Sequence, residues 1–158
     1  MLSVPAMAQT CDDDKVASAP TSRFKQGNGE TVTDSKTGLT WLRCGLGMRW
    51  DGASCTGQTL TYDWHSAQRA IEELNRAKRG GRSDWRLPTA AELQSIVETQ
   101  CFKPAINLDV FPYTPESGFW TDTEAAGFNP RAMIIHFIHG GEYVANKNQS
   151  WRVRPVAD

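Results

Sequence analysis

The side chains that could carry chemistry in this chain of 158 residues include three histidines. His136 and His139 are close enough in sequence to share a surface and bind a metal ion or an anion, although isolated surface histidines are commoner. His65 stands alone, and no pair of carboxylates suited to a glycosidase can be picked out. The sequence also lacks the short motifs of serine hydrolases, zinc proteases, nucleotide-binding loops and dinucleotide folds. We therefore expect no enzyme, no metal site and no cofactor.

The four cysteines are predicted to form disulfides, because the sequence has no C-x-x-C pair of the kind that binds zinc. Cys44 and Cys55 flank a glycine-rich loop and are the natural local pair. Cys11 and Cys101 would then join an N-terminal arm to the end of the second predicted helix. Four cysteines also allow other connectivities, and the spacing alone leaves these open. Because disulfides persist outside the cytoplasm, the cysteines predict an exported protein.

The N-terminus also indicates export. Ala6-Met7-Ala8 resembles the cleavage site of a secretory signal. We interpret residues 1–8 as the tail of such a signal, with an ordinary N-terminus as the alternative. Residues 9–23 are then an extended polar arm, and residues 24–158 form one domain. The net charge of −1 argues against a nucleic-acid or membrane-surface binder, and no apolar run is long enough to span a bilayer.

The pattern of elements predicts an α+β fold. Strands at residues 30–34 and 39–42 flank a turn and predict a hairpin. A first helix begins after Asp63, which can cap it, and ends in a basic stretch before Gly80. Its inner face is expected to contain Ala67, Ala70, Ile71, Leu74 and Ala77. A basic patch for an anionic polysaccharide is the alternative interpretation of the stretch at residues 76–79.

A second helix is predicted to begin at Thr89, because Thr89 and Glu92 have the spacing of a capping box. Strands follow at residues 118–123, 131–138, 142–144 and 151–156. Alternation in the segment 131–138 would direct Met133, Ile135 and Phe137 to the core. Ile134, His136 and Ile138 would then point outward. Most of the six tryptophans are expected in the core, with one or two facing a ligand.

Three segments of the chain carry a family resemblance. They are residues 32–41 (VTDSKTGLTW), residues 44–55 with the WDG run, and residues 83–93 with the WRLPT run followed by Glu92-Leu93. Further matches are the FWT run at residues 119–121 and Val153-Arg154. Together these features resemble the DUF1566 family, also called the Lcl C-terminal domain after a collagen-like adhesin.

The resemblance implies a disulfide-stapled C-type-lectin-like fold, in which two helices flank a small antiparallel sheet and the late strands and loops carry the binding surface. Similar domains are exported bacterial proteins, and the Lcl adhesin domain is associated with sulfated glycans. The loop motifs with which lectins bind sugars through calcium are missing here. Calcium-bridged sugar binding is therefore not expected.

The function predicted on this basis is that of an exported, non-catalytic binding module, periplasmic or secreted, that recognises a sulfated or acidic surface glycan through its late loops. The predicted contact residues are Arg131, His136, His139, Tyr143, Asn146, Lys147 and Asn148. The alternative is a periplasmic protein-interaction partner, such as an inhibitor, an immunity protein or a pilus or secretion accessory. Exposed Ile134 and Ile138 would favour that alternative.

Overall fold

The computed structural model of the protein describes residues 8–127 and 130–158, and it confirms the predicted α+β class. The signal tail predicted at residues 1–8 lies almost entirely outside the described residues. The elements in chain order are β1 (Thr10–Cys11), β2 (Phe24–Gln26), β3 (Thr31–Asp34), β4 (Thr40–Leu42), β5 (Arg49–Trp50), β6 (Cys55–Thr56), α1 (Trp64–Arg76), α2 (Ala90–Ser95), β7 (Cys101–Phe102), β8 (Gly118–Ala125), β9 (Arg131–His136), β10 (Gly141–Asn146) and β11 (Val156–Ala157).

The strands form several small antiparallel sheets where the sequence predicted one. A four-stranded sheet has the order β11-β4-β3-β2, and a three-stranded sheet has the order β10-β9-β8. The pairs β1-β7 and β5-β6 form two-stranded sheets. The predicted hairpin is confirmed as β3 and β4, with Val32 opposite Trp41 and both side chains buried. The C-terminal strand β11 pairs with β4, so the end of the chain closes the sheet that the hairpin starts.

The central strand of the three-stranded sheet, β9, is buried on both faces at its middle. Ile134 of β9 packs in a cluster with Ile71 and Leu74 of α1. Ile135 of the same strand packs in a second cluster with Leu93 of α2. The outward orientation predicted for Ile134 was therefore wrong, because α1 covers the face that alternation alone would leave to solvent. Two further predictions for residues 131–138 were wrong: the strand ends at His136, and Met133 is only half-buried.

Both helices begin at the predicted caps. Asp63 accepts a hydrogen bond from the Ser66 N–H at 2.8 Å, which satisfies a free donor of the first turn of α1. The capping box is present at α2: the Glu92 N–H donates to Thr89 Oγ1 at 3.1 Å, and the Thr89 N–H donates to Glu92 Oε1 at 2.7 Å. Ala77 lies after the end of α1 and is exposed, so its predicted place on the inner face was wrong.

The WRLPT segment joins the helix α2 to the four-stranded sheet. Arg86 makes a bidentate ion pair with Glu92, at 2.8 and 2.7 Å, and its backbone pairs with Val156 of β11. The side chains of Trp85 and Leu87 on either side are buried. The structural role predicted for this segment is therefore confirmed, because Arg86 links the cap of α2 to the strand β11.

The disulfides observed are the predicted pairs, Cys11–Cys101 and Cys44–Cys55. The first joins β1 of the arm to β7. The arm is held further along as well, because the Ser18 and Ala19 N–H groups both donate to the carboxylate of Glu98 at 2.8 Å. The arm is thus attached to the domain at several points, where the composition predicted a segment with little structure.

Within residues 8–127 and 130–158, neither helix combines the length and the apolar character needed to cross a bilayer; the longer of them, α1, has 13 residues.

We predict that the two disulfides differ in their contribution to stability. The Cys11–Cys101 bond closes a sequence separation of 90 residues and the Cys44–Cys55 bond one of 11. The chain-entropy relation gives about 5 kcal/mol for the long loop and about 3 kcal/mol for the short one. Urea unfolding of the Cys11→Ser/Cys101→Ser and Cys44→Ser/Cys55→Ser proteins would measure both losses. A larger loss for the short loop would contradict the prediction.

A second prediction concerns acid stability. Burial raises the pKa of Glu98, but hydrogen bonds from the Gln100, Ser18 and Ala19 N–H groups outweigh burial, and the pKa lies below the ordinary 4.5. The carboxylate therefore stabilises the fold above pH 4.5, and this contribution is lost as the pH falls through the lowered value. We expect Glu98→Gln to lower the free energy of unfolding at pH 7 by roughly 1–3 kcal/mol.

The difference between wild type and Glu98→Gln should shrink as the pH falls below 4.5, as measured by urea unfolding at several pH values. Glu72→Gln is the control, because Glu72 is exposed on α1. A Glu98→Gln difference that stays constant with pH would rule out this role for the carboxylate.

Candidate functional site

The seven predicted contact residues lie along the hairpin of β9 and β10 and divide into two groups at its opposite ends. Four of them, Arg131, Asn146, Lys147 and Asn148, belong to the end at which β9 begins and β10 finishes. The other three, His136, His139 and Tyr143, belong to the end with the connecting turn. Six-residue strands separate these ends by about 17 Å. Four of the seven lie on strands and three lie in the turns that follow them, and the prediction that the late loops carry the site stays a prediction.

A cleft opens at the first of these ends, between the start of α1 and the turn that follows β10. Its volume is about 500 Å³. Its lining residues are Asp63, His65, Arg69, Pro130, Asn146, Lys147 and Asn148. Three of the predicted contact residues therefore meet in one cleft, together with three side chains of α1 or its cap that the sequence analysis did not select.

Lys147 holds the two walls of the cleft together. Its Nζ lies 3.8 Å from the ring centroid of Trp64 on α1 and 3.4 Å from Glu124 Oε2 on β8. Its backbone carbonyl accepts from the Trp64 N–H at 2.9 Å, and only 11% of its side chain is exposed. The ammonium is thus satisfied within the protein, so Lys147 positions the cleft more than it offers a free charge to a ligand.

Arg69 is an exposed cation in the lining of the cleft. Its side chain is exposed and donates to Ser66 Oγ at 2.9 Å. Ser66 Oγ in turn donates to Asp63 Oδ2 at 3.1 Å. The hydrogen bond from the Ser66 N–H is the main reason that the pKa of Asp63 lies below its ordinary value. Because Asp63 is committed to its helix cap, the guanidinium of Arg69 and the amides of Asn146 and Asn148 are the groups available to a ligand.

The turn end of the hairpin carries an aromatic patch that consists of His136, Tyr143 and Trp151. The ring of His136 lies edge-on to Tyr143 and to Trp151, with centroids 6.3 and 6.2 Å apart. Burial, followed by the nearby His139 and Arg152, lowers the pKa of His136. Its ring is therefore uncharged at pH 7, and its Nδ1 accepts from the Ile138 N–H at 3.2 Å. His139 is exposed on the turn beside Phe102, at a centroid distance of 6.0 Å.

Arg131 does not line the cleft. Its Nη2 donates to the carbonyl of Ala126 at 2.6 Å, which holds the guanidinium against the segment that follows β8. The ligand contact predicted for Arg131 lies outside this cleft and stays a prediction.

His65 and Arg69 are four residues apart, so one face of α1 presents both to the cleft. This spacing is visible in the sequence. Nothing in the sequence connects that face with residues 146–148, however, because the contact depends on how α1 packs on the sheet.

We predict that Lys147 and Trp64 couple energetically across the cleft. The free energies of unfolding of Lys147→Met, Trp64→Leu and the double variant, measured in urea, should give an interaction energy of about 0.5–1 kcal/mol. Glu124→Gln is the control and should cost less, because 68% of that side chain is exposed. Strictly additive effects of the two single substitutions would show that the ammonium and the ring do not interact.

The family model described as the Lcl C-terminal domain matches residues 30–157, which is most of the chain. The chain therefore belongs to the Lcl C-terminal domain family, as the three sequence segments indicated. A comparison with curated proteins gives no match.

Proposed function

We propose that this member of the Lcl C-terminal domain family is an exported, non-catalytic binding module of C-type-lectin-like fold, which recognises an acidic or sulfated glycan. The observation that carries the proposal is the open cleft between α1 and the turn after β10, with its exposed guanidinium and two amides. Its volume of about 500 Å³ is in the range of small-molecule sites and suits one or two sugar rings.

The chemistry of the cleft favours an anionic sugar. The Arg69 guanidinium can donate two parallel hydrogen bonds to a carboxylate or sulfate. Asn146 and Asn148 are exposed and offer both donors and acceptors to sugar hydroxyl groups. Among the lining residues that the structure describes, Asp63 is the single carboxylate, and its oxygens already accept from Ser66. Since glycoside hydrolysis usually requires two carboxyl groups, we propose binding without catalysis.

The two disulfides support an oxidising compartment, which for a bacterial protein is the periplasm or the exterior of the cell. The proposed localisation is therefore periplasmic or secreted. A glycan ligand on a cell surface or in the surrounding matrix is compatible with either location.

The alternative function is recognition of an envelope or secreted protein. Ile134, whose exposure would have favoured it, is buried, and Ile138 is half-buried. The observation that still favours a protein partner is the exposure of Tyr143 and Val144 on β10, at 52% and 49%. Tyrosine is enriched among the residues that carry the binding energy of protein interfaces.

The proposal is tested by binding of the oxidised protein to an array of neutral, carboxylated and sulfated glycans, with calcium and with a chelator. We expect binding to acidic or sulfated glycans that the chelator does not change and that added salt weakens. Arg69→Ala and Asn148→Ala should lower the affinity, Arg69→Ala by roughly tenfold or more, because a charge-assisted hydrogen bond is lost.

Arg76→Ala is the matched control, because Arg76 lies on the same helix, is exposed and does not line the cleft. It should bind as the wild type does. If the folded protein binds no glycan, or if Arg76→Ala weakens binding as much as Arg69→Ala, the cleft is not an acidic-glycan site. Capture of a single envelope protein in the first case would support the alternative function.

A further inference from the structure

The strand β10 forms one edge of the three-stranded sheet, and its outer side presents unpaired backbone groups. β9 separates β10 from β8, so β10 pairs on one side only. In the part of the chain that the structure describes, the backbone groups of Glu142 and Val144 make no hydrogen bond outside the sheet. An open strand edge is a template for pairing with another strand.

The hydrogen-bond pattern identifies the groups that point outward. The Lys147 N–H donates to the carbonyl of Pro130 at 3.0 Å, which continues the register of β9 and β10. In an antiparallel pair, every second residue exchanges hydrogen bonds with the neighbouring strand. Residues 141, 143, 145 and 147 therefore bond to β9. The N–H and C=O groups of Glu142, Val144 and Asn146 face away from the sheet.

Of the usual features that prevent strand pairing, the edge carries a single charged residue, Glu142. Residues 141–146 read GEYVAN, with no proline and no lysine. Glu142, Tyr143 and Val144 are consecutive and exposed, and two of these three residue types favour strands. A protein that keeps such an edge open is exposed to association through it.

We propose that β10 pairs antiparallel with β10 of a second copy of this chain, about a two-fold axis at Val144. In this register all three outward-facing residues of β10 meet outward-facing residues of the second copy. Val144 lies opposite its own counterpart, and Glu142 lies opposite Asn146. The same surface then serves both copies, which gives a closed dimer.

The side chains of β10 fit this register. Glu142, the one charged residue of β10, meets the amide of Asn146 and no like charge. Tyr143, which is exposed, lies opposite the small and buried Ala145. The two Val144 side chains meet at the axis, as β-branched pairs commonly do across strands. Both outward-facing groups of Asn146 contact Gln149 of the same chain: its N–H donates to Gln149 Oε1 at 3.1 Å, and its carbonyl accepts from the Gln149 N–H at 2.9 Å. In the dimer, the carbonyl of Glu142 in the second copy would replace Gln149 Oε1 as the acceptor, and the Glu142 N–H would donate to the same Asn146 carbonyl, which has two lone pairs.

The pairing has a consequence for the site. In one chain, the aromatic patch and the cleft lie about 17 Å apart along the hairpin. Antiparallel pairing places the turn end of one copy beside the cleft end of the other, with Gly140 opposite Asn148. Tyr143 and His136 of one copy would thus extend the cleft of the second copy. This composite site rests on the proposed function, whereas the pairing itself does not.

Sedimentation velocity of the oxidised protein, from low to high micromolar concentration, tests the pairing. We expect a monomer–dimer equilibrium in the wild type. Val144→Lys should sediment as a monomer at every concentration, because it places two ammonium groups opposite each other at the axis. Val144→Thr is the matched control, since it keeps the β-branched shape without a charge, and it should still dimerise.

A thermal melt of Val144→Lys with the midpoint of the wild type would show that loss of the dimer is not loss of the fold. A wild type that stays monomeric at all concentrations, or a Val144→Lys protein that dimerises as the wild type does, would overturn the proposal. The glycan assay separates the two proposals: Arg69→Ala should lose glycan binding and keep the dimer. Val144→Lys should lose the dimer and bind glycan more weakly.

Discussion

The arrangement of this domain depends on the burial of β9 on both faces. Ile134 packs in a cluster with side chains of α1, and Ile135 packs in a cluster with side chains of α2. The middle of the central strand therefore has no face that a ligand could reach. Polar side chains of the hairpin are consequently confined to its two ends and to the open edge of β10. The cleft exists because α1 covers the sheet only as far as its own N-terminus, where Asp63 caps the helix.

Two buried arginines connect the four-stranded sheet to the long segment between β7 and β8. Arg154 is fully buried and donates to the carbonyls of Leu42 and Arg43, at 3.0 and 2.7 Å, and to Thr114 Oγ1 at 2.8 Å. Burial lowers the pKa of Arg154 to about 9. Arg43 donates to the carbonyls of Asp109 and Val110, both at 2.9 Å. Arg43 thus satisfies two backbone carbonyls of the segment between β7 and β8, and Arg154 satisfies a hydroxyl group of the same segment, which packs in the interior.

Local signals in the sequence predicted the fold well. The spacing of Thr89 and Glu92 identified a helix start that the structure forms with the same hydrogen bonds, and the first hairpin followed from alternation around a turn. Predictions that required knowledge of distant packing were weaker. Ile134 looked exposed because alternation cannot show that a helix covers the second face, and His65 and Arg69 were missed because their neighbours in the cleft lie far along the chain. The disulfide pairs could be predicted from the sequence, because the short sequence separation of one pair selected that pair and left the other two cysteines for the second.

The attachment of the N-terminal arm has a consequence for resistance to proteases. Val16 is 91% exposed and follows Lys15, so the bond between them is accessible to an enzyme that cleaves after basic residues. The residues before the cut would remain joined to the domain through Cys11 and Cys101, and the residues after it belong to the uninterrupted chain of the domain. A nick in the arm would therefore release no fragment under non-reducing conditions. In an environment rich in proteases, the domain could be cut at this bond and still keep its covalent mass and its core.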